Sequence, residues 1–224
     1  MTEYLLLRLA GPMQSWGQTT FEGTRPTRPK GWRSGLLGLL AACAGVKRTD
    51  KTQLQRLSDA LRFAVRCDQY VVEERPCSVY KMTDYHTVQD AREDYSGLKK
   101  HDTIQTWREY LCDAQFTVAV WQAGVDDLLA HLAQAVRKPH FTPYLGRRSC
   151  PLTQPLFQGL CQAPDPIQAL RKVQPEEGII YSEEKLNSDD RPVRVRDEPL
   201  YALPRQFGSR FWYVIHGGNH SVSE

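Results

Sequence analysis

The first residues of the chain alternate between apolar and polar positions with the period of a β-strand. In residues 4–9, Leu5, Leu7 and Leu9 share one face, while the other face carries Arg8 and is less apolar. A Gly-Pro pair directly after this segment is typical of a turn. We therefore expect a first strand whose leucine face lies in the core.

Helical periodicity occurs at three places. A helix is predicted to begin within residues 33–40, where Ser34 could cap it. A second, short helix is predicted over residues 52–60, and a third carries apolar residues at i, i+3, i+4 and i+7 between residues 125 and 136. Such apolar stripes are typical of helices that pack on a sheet.

Period-two alternation also predicts five later strands, at residues 61–67, 114–121, 178–182, 192–196 and 211–216. Between residues 71 and 109 the alternation weakens and polarity rises, which indicates a projecting hairpin or a mobile insertion.

The order strand, helix, strand, insertion, strand, helix fits a ferredoxin-like α+β sandwich, the plan of RNA-recognition domains. We predict such a palm over residues 1–150, with the insertion at about 71–109, and a small β-rich C-terminal subdomain over residues 151–224. The fold by itself does not establish RNA binding.

The composition is that of an ordinary globular protein, with 224 residues of which 41% are hydrophobic and 25% are charged. The apolar opening segment lacks a basic n-region and a cleavage site, so we expect neither a secretory signal nor a membrane span. Six cysteines without a C-x-x-C pair favour neither a zinc site nor a disulfide scaffold. A reducing cytoplasm is therefore the expected location.

The charges are segregated along the chain. Residues 23–49 and 128–164 contain no carboxylate and contribute +6 and +4 to a formal net charge of +3, so the remaining residues carry −7. Lysines and arginines without neighbouring acids suit phosphate contacts, although a solvated basic surface is the alternative. Two such stretches favour a polyanionic partner.

The loop at residues 143–151 has the most suggestive chemistry. Tyr144 could stack on a base, Gly146 would let backbone N–H groups approach a phosphate, and Arg147 and Arg148 supply charge and planar donors. A Gly-Arg turn followed by proline is common, so the loop points to RNA only together with the first basic stretch.

Four segments together resemble one protein family. They are LRLAGPMQSWG at residues 7–17, FEGTRPT at 21–27, RSGLLGLL at 33–40 and YLGRR at 144–148. The chain resembles the Cas-five family, and within it the subunit of the type I-E CRISPR surveillance complex called Cascade. The resemblance spans essentially the whole chain and is most specific in the first forty residues.

The resemblance implies a non-catalytic subunit with a RAMP-type palm and a thumb hairpin in the insertion. Its role would be to grip the five-prime handle of the CRISPR RNA and to cap the backbone filament, in antiviral defence. The implied partners are the CRISPR RNA, the Cascade backbone subunit, the Cascade large subunit and, indirectly, target DNA. No cofactor, metal or membrane contact is implied.

Matching the family segments that border the handle predicts a set of RNA-binding residues, to which Arg108 is added from the base of the predicted thumb. The set is Gln14, Trp16, Arg25, Arg33, Arg108, Tyr144, Gly146, Arg147 and Arg148. Arginines would contact phosphates and aromatic rings would stack on bases, so no chemistry is required.

Two other functions remain open from the sequence. Some relatives in other CRISPR subtypes resemble metal-independent endoribonucleases, for which Tyr80, Lys81, His86 and His101 would be the candidate groups, without a recognisable catalytic spacing. A metal-dependent nuclease is less favoured, because no Asp/Glu/His cluster has ligand-like spacing. A scaffold whose basic loops meet acidic protein surfaces is the third class.

Overall fold

The structure is a computed structural model, and it describes residues 1–17, 24–27, 32–68, 71–72, 75–76, 79–89, 103–124, 127–202 and 206–216. The helices within these residues are α1 (Arg33–Cys43), α2 (Lys51–Ala60), α3 (Leu128–Arg137) and α4 (Pro166–Leu170). The strands are β1 (Thr2–Ala10), β2 (Met13–Gln14), β3 (Thr24–Arg25), β4 (Leu61–Asp68), β5 (Val71–Val72), β6 (Arg75–Pro76), β7 (Tyr80–Gln89), β8 (Thr103–Cys112), β9 (Gln115–Gln122), β10 (Phe157–Ala163), β11 (Gly178–Ser182), β12 (Arg191–Pro199) and β13 (Phe207–His216).

The largest element is a seven-stranded sheet in the order β10-β1-β9-β4-β11-β13-β12. Every neighbouring pair in it is antiparallel. The mixed α+β class predicted from the sequence is therefore confirmed. Four strands from beyond residue 150 share this sheet with three strands from before residue 150. The predicted division into two domains at residue 150 stays a prediction.

One face of this sheet carries the main core. Leu5, Leu7 and Leu9 of β1 have no exposed surface and join a cluster with the leucines of α1 and α3. Trp32, directly before α1, meets Phe116 at 5.5 Å between ring centroids in an edge arrangement. Aromatic pairs at this separation add to the stabilisation from burial, and they fix the start of α1 against β9.

The opposite face of the sheet is also buried, under α4. Arg8, which made this face look polar in the sequence, is only 8% exposed. Arg66 lies beneath α4, where its Nε is 2.6 Å from an oxygen of Asp68. The same guanidinium donates to the backbone carbonyls of Leu170 and Val173, both at 2.8 Å. A buried charge held this way needs all its partners, so Arg66 ties α4 to the sheet.

Helix α1 begins where the sequence predicted, but Ser34 does not cap it. The backbone N–H of Arg33 donates instead to a carboxylate oxygen of Asp197 at 3.1 Å. The capping prediction was wrong because the acceptor comes from β12, far away in the sequence. Helix α2, by contrast, has a local cap, since Asp50 accepts from the Gln53 N–H at 3.0 Å.

A second sheet is built around β8. Strands β7 and β8 form a ladder that runs from Tyr80 opposite Cys112 to Gln89 opposite Thr103. Strand β2 pairs antiparallel and strand β3 parallel with β8. The structure thus has a hairpin within the predicted insertion, while residues 90–102 lie outside the described part. In the described part of the chain, no helix has the length and apolar character needed to cross a membrane.

Candidate nucleic-acid interface

One face of strand β8 carries an arginine and a tyrosine, Tyr110, which is 4% exposed. Arg108 and Tyr110 point to the same side because side chains alternate along a strand. Arg25 of β3 is paired with Arg108 and shares that side. The guanidinium carbon of Arg147 lies 4.8 Å from the centroid of the Tyr110 ring. We call these four residues, Arg25, Arg108, Tyr110 and Arg147, the arginine face.

The loop that carries Arg147 is fixed against the end of β2. The N–H of Ser15 donates to the Leu145 carbonyl at 3.1 Å. Gly146 has φ +84°, and a Cβ on it would lie 1.9 Å from the backbone oxygen of Ser15. Only glycine fits this contact. The N–H of Gly146 donates to the Tyr144 carbonyl at 3.1 Å, so its close approach is to protein backbone.

The guanidinium of Arg147 is only partly used by the protein. It stacks on Tyr110, but its Nη1 is shielded from solvent and has no hydrogen-bond partner in the described part of the chain. A shielded donor without an acceptor is costly, so a side-chain shift that brings Nη1 to a phosphate or base oxygen would be favourable. Arg148 and Tyr144 beside it are exposed, with 42% of the Tyr144 surface accessible.

Strands β7 and β8 carry two acidic residues, one on each face of the pair. Glu109 accepts from the Thr27 N–H at 3.0 Å and pairs with the Lys81 ammonium at 3.2 Å. Asp84 is on the same side as Arg108 and opposite it in the ladder, and its carboxylate contacts His86 Nε2. The arginine face therefore retains a cationic excess next to one carboxylate.

Gln14 and Trp16 lie in the interior. The Gln14 amide donates to the carbonyls of Leu9 and Ala114, at 3.2 and 2.6 Å, and accepts from the Trp16 indole N–H at 2.9 Å. Trp16 is 2% exposed, and its backbone N–H donates to the Thr27 hydroxyl at 2.9 Å. These side chains are engaged within the protein. Their placement favours a positioning role for the segment that carries Arg25.

Arg33 is likewise buried, at 4% exposure, and pairs with Glu183 at 2.8 Å and Glu198 at 2.7 Å. Burial disfavours its charge, yet the two carboxylates outweigh burial and raise the pKa of Arg33 above its ordinary value. Because Asp197 accepts from the Arg33 N–H, a carboxylate already occupies the start of α1, where a phosphate would bind.

Of the nine predicted residues, the structure thus groups six at the arginine face or in the adjoining loop, and these are Arg25, Arg108, Tyr144, Gly146, Arg147 and Arg148. Sequence reasoning missed Tyr110, the ring on which Arg147 stacks. The alternation of Arg108 and Tyr110 within a strand was the available signal. Among the described residues, no group of three or more His, Cys, Asp or Glu side chains is arranged to hold a metal ion.

Comparisons with known proteins place the chain in a family. The family described as CRISPR-associated protein (Cas_Cas5) matches residues 4–213. The CRISPR system Cascade subunit CasD of Escherichia coli (strain K12) is 60% identical over 219 residues, which is 97% of this chain and 98% of that protein.

Solved structures agree with this match. A chain in a CRISPR RNA-guided surveillance complex has a TM-score of 0.70 and 32% identity, covering 95% of this chain and 89% of that one. A second solved structure, described as a Cas protein, has a TM-score of 0.63 and 31% identity, covering 95% and 93%. The protein with this arginine face therefore belongs to the CRISPR-associated Cas5 family.

Proposed function

We propose that this protein is a non-catalytic Cascade subunit that binds the five-prime handle of a CRISPR RNA and caps the backbone filament. The observation that carries the proposal is the placement of Arg25 and Arg108 on the side of β8 that also carries Tyr110, the ring over which Arg147 lies. Support also comes from the relative named as a Cascade subunit and from the likeness to a chain of an RNA-guided surveillance complex.

The handle would be held without any bond being made or broken. Arg25, Arg108 and Arg148 would contact phosphates, and the exposed Tyr144 ring would stack on a base. Arg147, held over the Tyr110 ring, would offer guanidinium donors to a phosphate or base oxygen. Gln14 and Trp16 would hold the β3 segment in place beneath this surface.

The fold supports an RNA-recognition role. We assign the sub-order β10-β1-β9-β4, with α1 and α2 after β1 and α3 after β9, to a ferredoxin-like palm, which then extends past residue 150 to the end of β10. The β7–β8 hairpin would be its thumb. In the assembled complex we expect contacts with a backbone subunit and the large subunit, while guide pairing reads the target DNA.

The direct test is the affinity of the full-length protein for handle RNA after replacing Arg108 or Arg147 by Ala. Each change removes a charge-assisted contact, so we expect affinity to fall about tenfold. Arg147→Lys keeps the charge but loses the planar guanidinium over the ring, so the affinity for handle RNA should fall nearly as far.

The matched control is Arg171→Ala, which removes an exposed arginine at the end of α4. Helix α4 covers the face of the large sheet opposite the main core. It should leave handle affinity unchanged. Native melting with unchanged handle affinity in both Arg108→Ala and Arg147→Ala would overturn the proposal, as would equal binding of a scrambled RNA.

The endoribonuclease alternative has one favourable observation, the contact of His86 with Asp84 on the side that carries Arg108. A carboxylate-oriented histidine next to a cation could act as a general base on a ribose 2′-OH. Lys81, however, points to the other side and pairs with Glu109, and His101 lies outside the described residues.

We therefore expect no cleavage of precursor CRISPR RNA by the free protein, with or without His86. Metal-independent cleavage that disappears in His86→Ala would establish the alternative.

A further inference from the structure

A second cationic surface lies where the ends of α1 and α3 meet, away from strand β8. Its members are exposed side chains in the α1–α2 turn and directly after α3. We call Lys47, Arg48, Lys51 and Lys138 the basic ridge. None of the four forms an ion pair with any residue that the structure describes.

Backbone contacts bring the two parts of the ridge together. The chain after α3 runs along the end of α1, where the His140 N–H donates to the Cys43 carbonyl at 2.9 Å and the Phe141 N–H to the Ala42 carbonyl at 3.2 Å. At Gly45, with φ +76°, a Cβ would lie 3.0 Å from the His140 ring. Lys47 and Lys138 each lie two residues from this junction, so they flank it.

The local charge is almost uncompensated. Asp50 lies between Arg48 and Lys51 in the sequence, and its carboxylate accepts from the Gln53 N–H as the cap of α2. An open surface cavity of about 490 Å³ is lined by residues of this turn, including Lys47 and Asp50. Such a surface attracts a polyanion without offering it hydrogen-bond geometry specific to one base.

Stabilisation of helix ends does not account for these cations. Positive side chains favour the last turn of a helix, but α1 has no basic residue there, and its final carbonyls are already bonded to the chain after α3. The last turn of α3 does contain Arg137, whose guanidinium lies 4.0 Å from the Phe157 ring centroid. All four ridge residues lie outside both last turns, and Lys51 is the first residue of α2.

We propose that the basic ridge binds the phosphodiester backbone of a nucleic acid, independently of sequence, as an extension of the arginine face. A nucleic acid is favoured over an acidic protein because residues 138–148 connect the two surfaces without a carboxylate. Phe141 and Tyr144 lie between them, each 42% exposed and able to stack on bases. The position of this path rests on the proposed function of the arginine face.

The test compares two triple variants of the full-length protein. The ridge variant carries Lys47→Ala, Arg48→Ala and Lys138→Ala, and the control carries Arg171→Ala, Lys185→Ala and Arg191→Ala, which are exposed cations elsewhere. Both lose the same net charge. Affinity for handle-free single-stranded RNA and for random duplex DNA is measured across a salt series, with thermal melting as the folding check.

We expect the ridge variant to bind at least one probe about tenfold more weakly, and its salt slope to fall by about 2 to 3, since each lost phosphate contact removes about 0.7 to 0.9. A larger loss for RNA identifies the ridge as a continuation of the RNA path, and a larger loss for duplex identifies DNA. The control should bind as the parent does.

Two results would overturn the proposal. One is unchanged affinity and salt slope for both probes in a natively melting ridge variant. The other is loss of a co-purifying protein subunit with nucleic-acid affinity intact, which would make the ridge a protein-docking surface. Handle discrimination is measured in parallel with Arg147→Ala, so a failure of the ridge is distinguished from a failure of the arginine face.

Discussion

At the scale of single residues, the loop beside β2 depends on one glycine. Gly146 combines a left-handed backbone conformation with contact to the Ser15 carbonyl, and this places Arg147 over Tyr110. A side chain at this position would strain the backbone and push the loop away from β2. The position of Arg147 over Tyr110 is thus a consequence of the backbone contact between Gly146 and Ser15, the residue that follows β2.

Gly146→Ala should therefore lower the free energy of unfolding by about 1 to 3 kcal/mol and weaken handle binding. Gly38→Ala is the matched control, because Gly38 lies in α1 with nothing within 4 Å of an added Cβ. That control should stabilise the helix by up to about 1 kcal/mol. Urea unfolding of both variants makes the comparison, and equal unfolding free energies would contradict the role of the Ser15 contact.

At the scale of elements, Arg33 joins the start of α1 to the far end of the large sheet. Its guanidinium pairs with Glu183 and Glu198, while its N–H is capped by Asp197. Removing it would leave two carboxylates short of a partner in a mostly buried setting. Arg25, in contrast, is exposed on β3.

Arg33→Ala should cost about 3 to 5 kcal/mol of unfolding free energy, as expected when one partner of a buried pair is lost. Arg25→Ala should change stability by no more than about 0.5 kcal/mol and should weaken RNA binding instead. Denaturant titration paired with RNA affinity separates the two roles. If Arg33→Ala melted natively but lost handle binding, Arg33 would be an RNA ligand, as the family resemblance implies.

Periodicity predicted most of these elements, because it records which side chains face the core. The prediction at residues 178–182 matches β11 in full, and residues 52–60 differ from α2 by one residue. The capping of α1 could not be predicted, since Asp197 reaches it from 164 residues away. The burial of Gln14 could not be predicted either, because its amide donates to carbonyls near the end of β1 and directly before β9, which lie far apart in the sequence.

At the scale of the whole molecule, two buried tyrosine side chains make the free energy of unfolding fall as the pH becomes alkaline. Burial raises the pKa of Tyr4 and of Tyr181 to about 12. The unfolded chain releases these protons near pH 10, whereas the folded protein keeps them. Their contribution to stability is therefore complete below about pH 10 and is lost as the pH rises towards 12.

We expect the unfolding free energy to fall between about pH 10 and 12, by about 2 to 3 kcal/mol for each phenol. Urea titrations at stepped pH measure the decline, and Tyr181→Phe should make it smaller. The thiol of Cys43, whose pKa burial raises to about 11, contributes in the same direction and is removed with Cys43→Ala. A Tyr181→Phe profile identical to that of the parent would show that Tyr181 does not contribute.

The central claim is that the handle lies on the arginine face, and ultraviolet cross-linking of a handle RNA followed by peptide mass spectrometry tests it most directly. We expect cross-links in the peptides that contain Arg108 and Tyr144, with those to Tyr144 reduced in Gly146→Ala. Cross-links confined to β12 and β13, on the far edge of the large sheet, would contradict the claim.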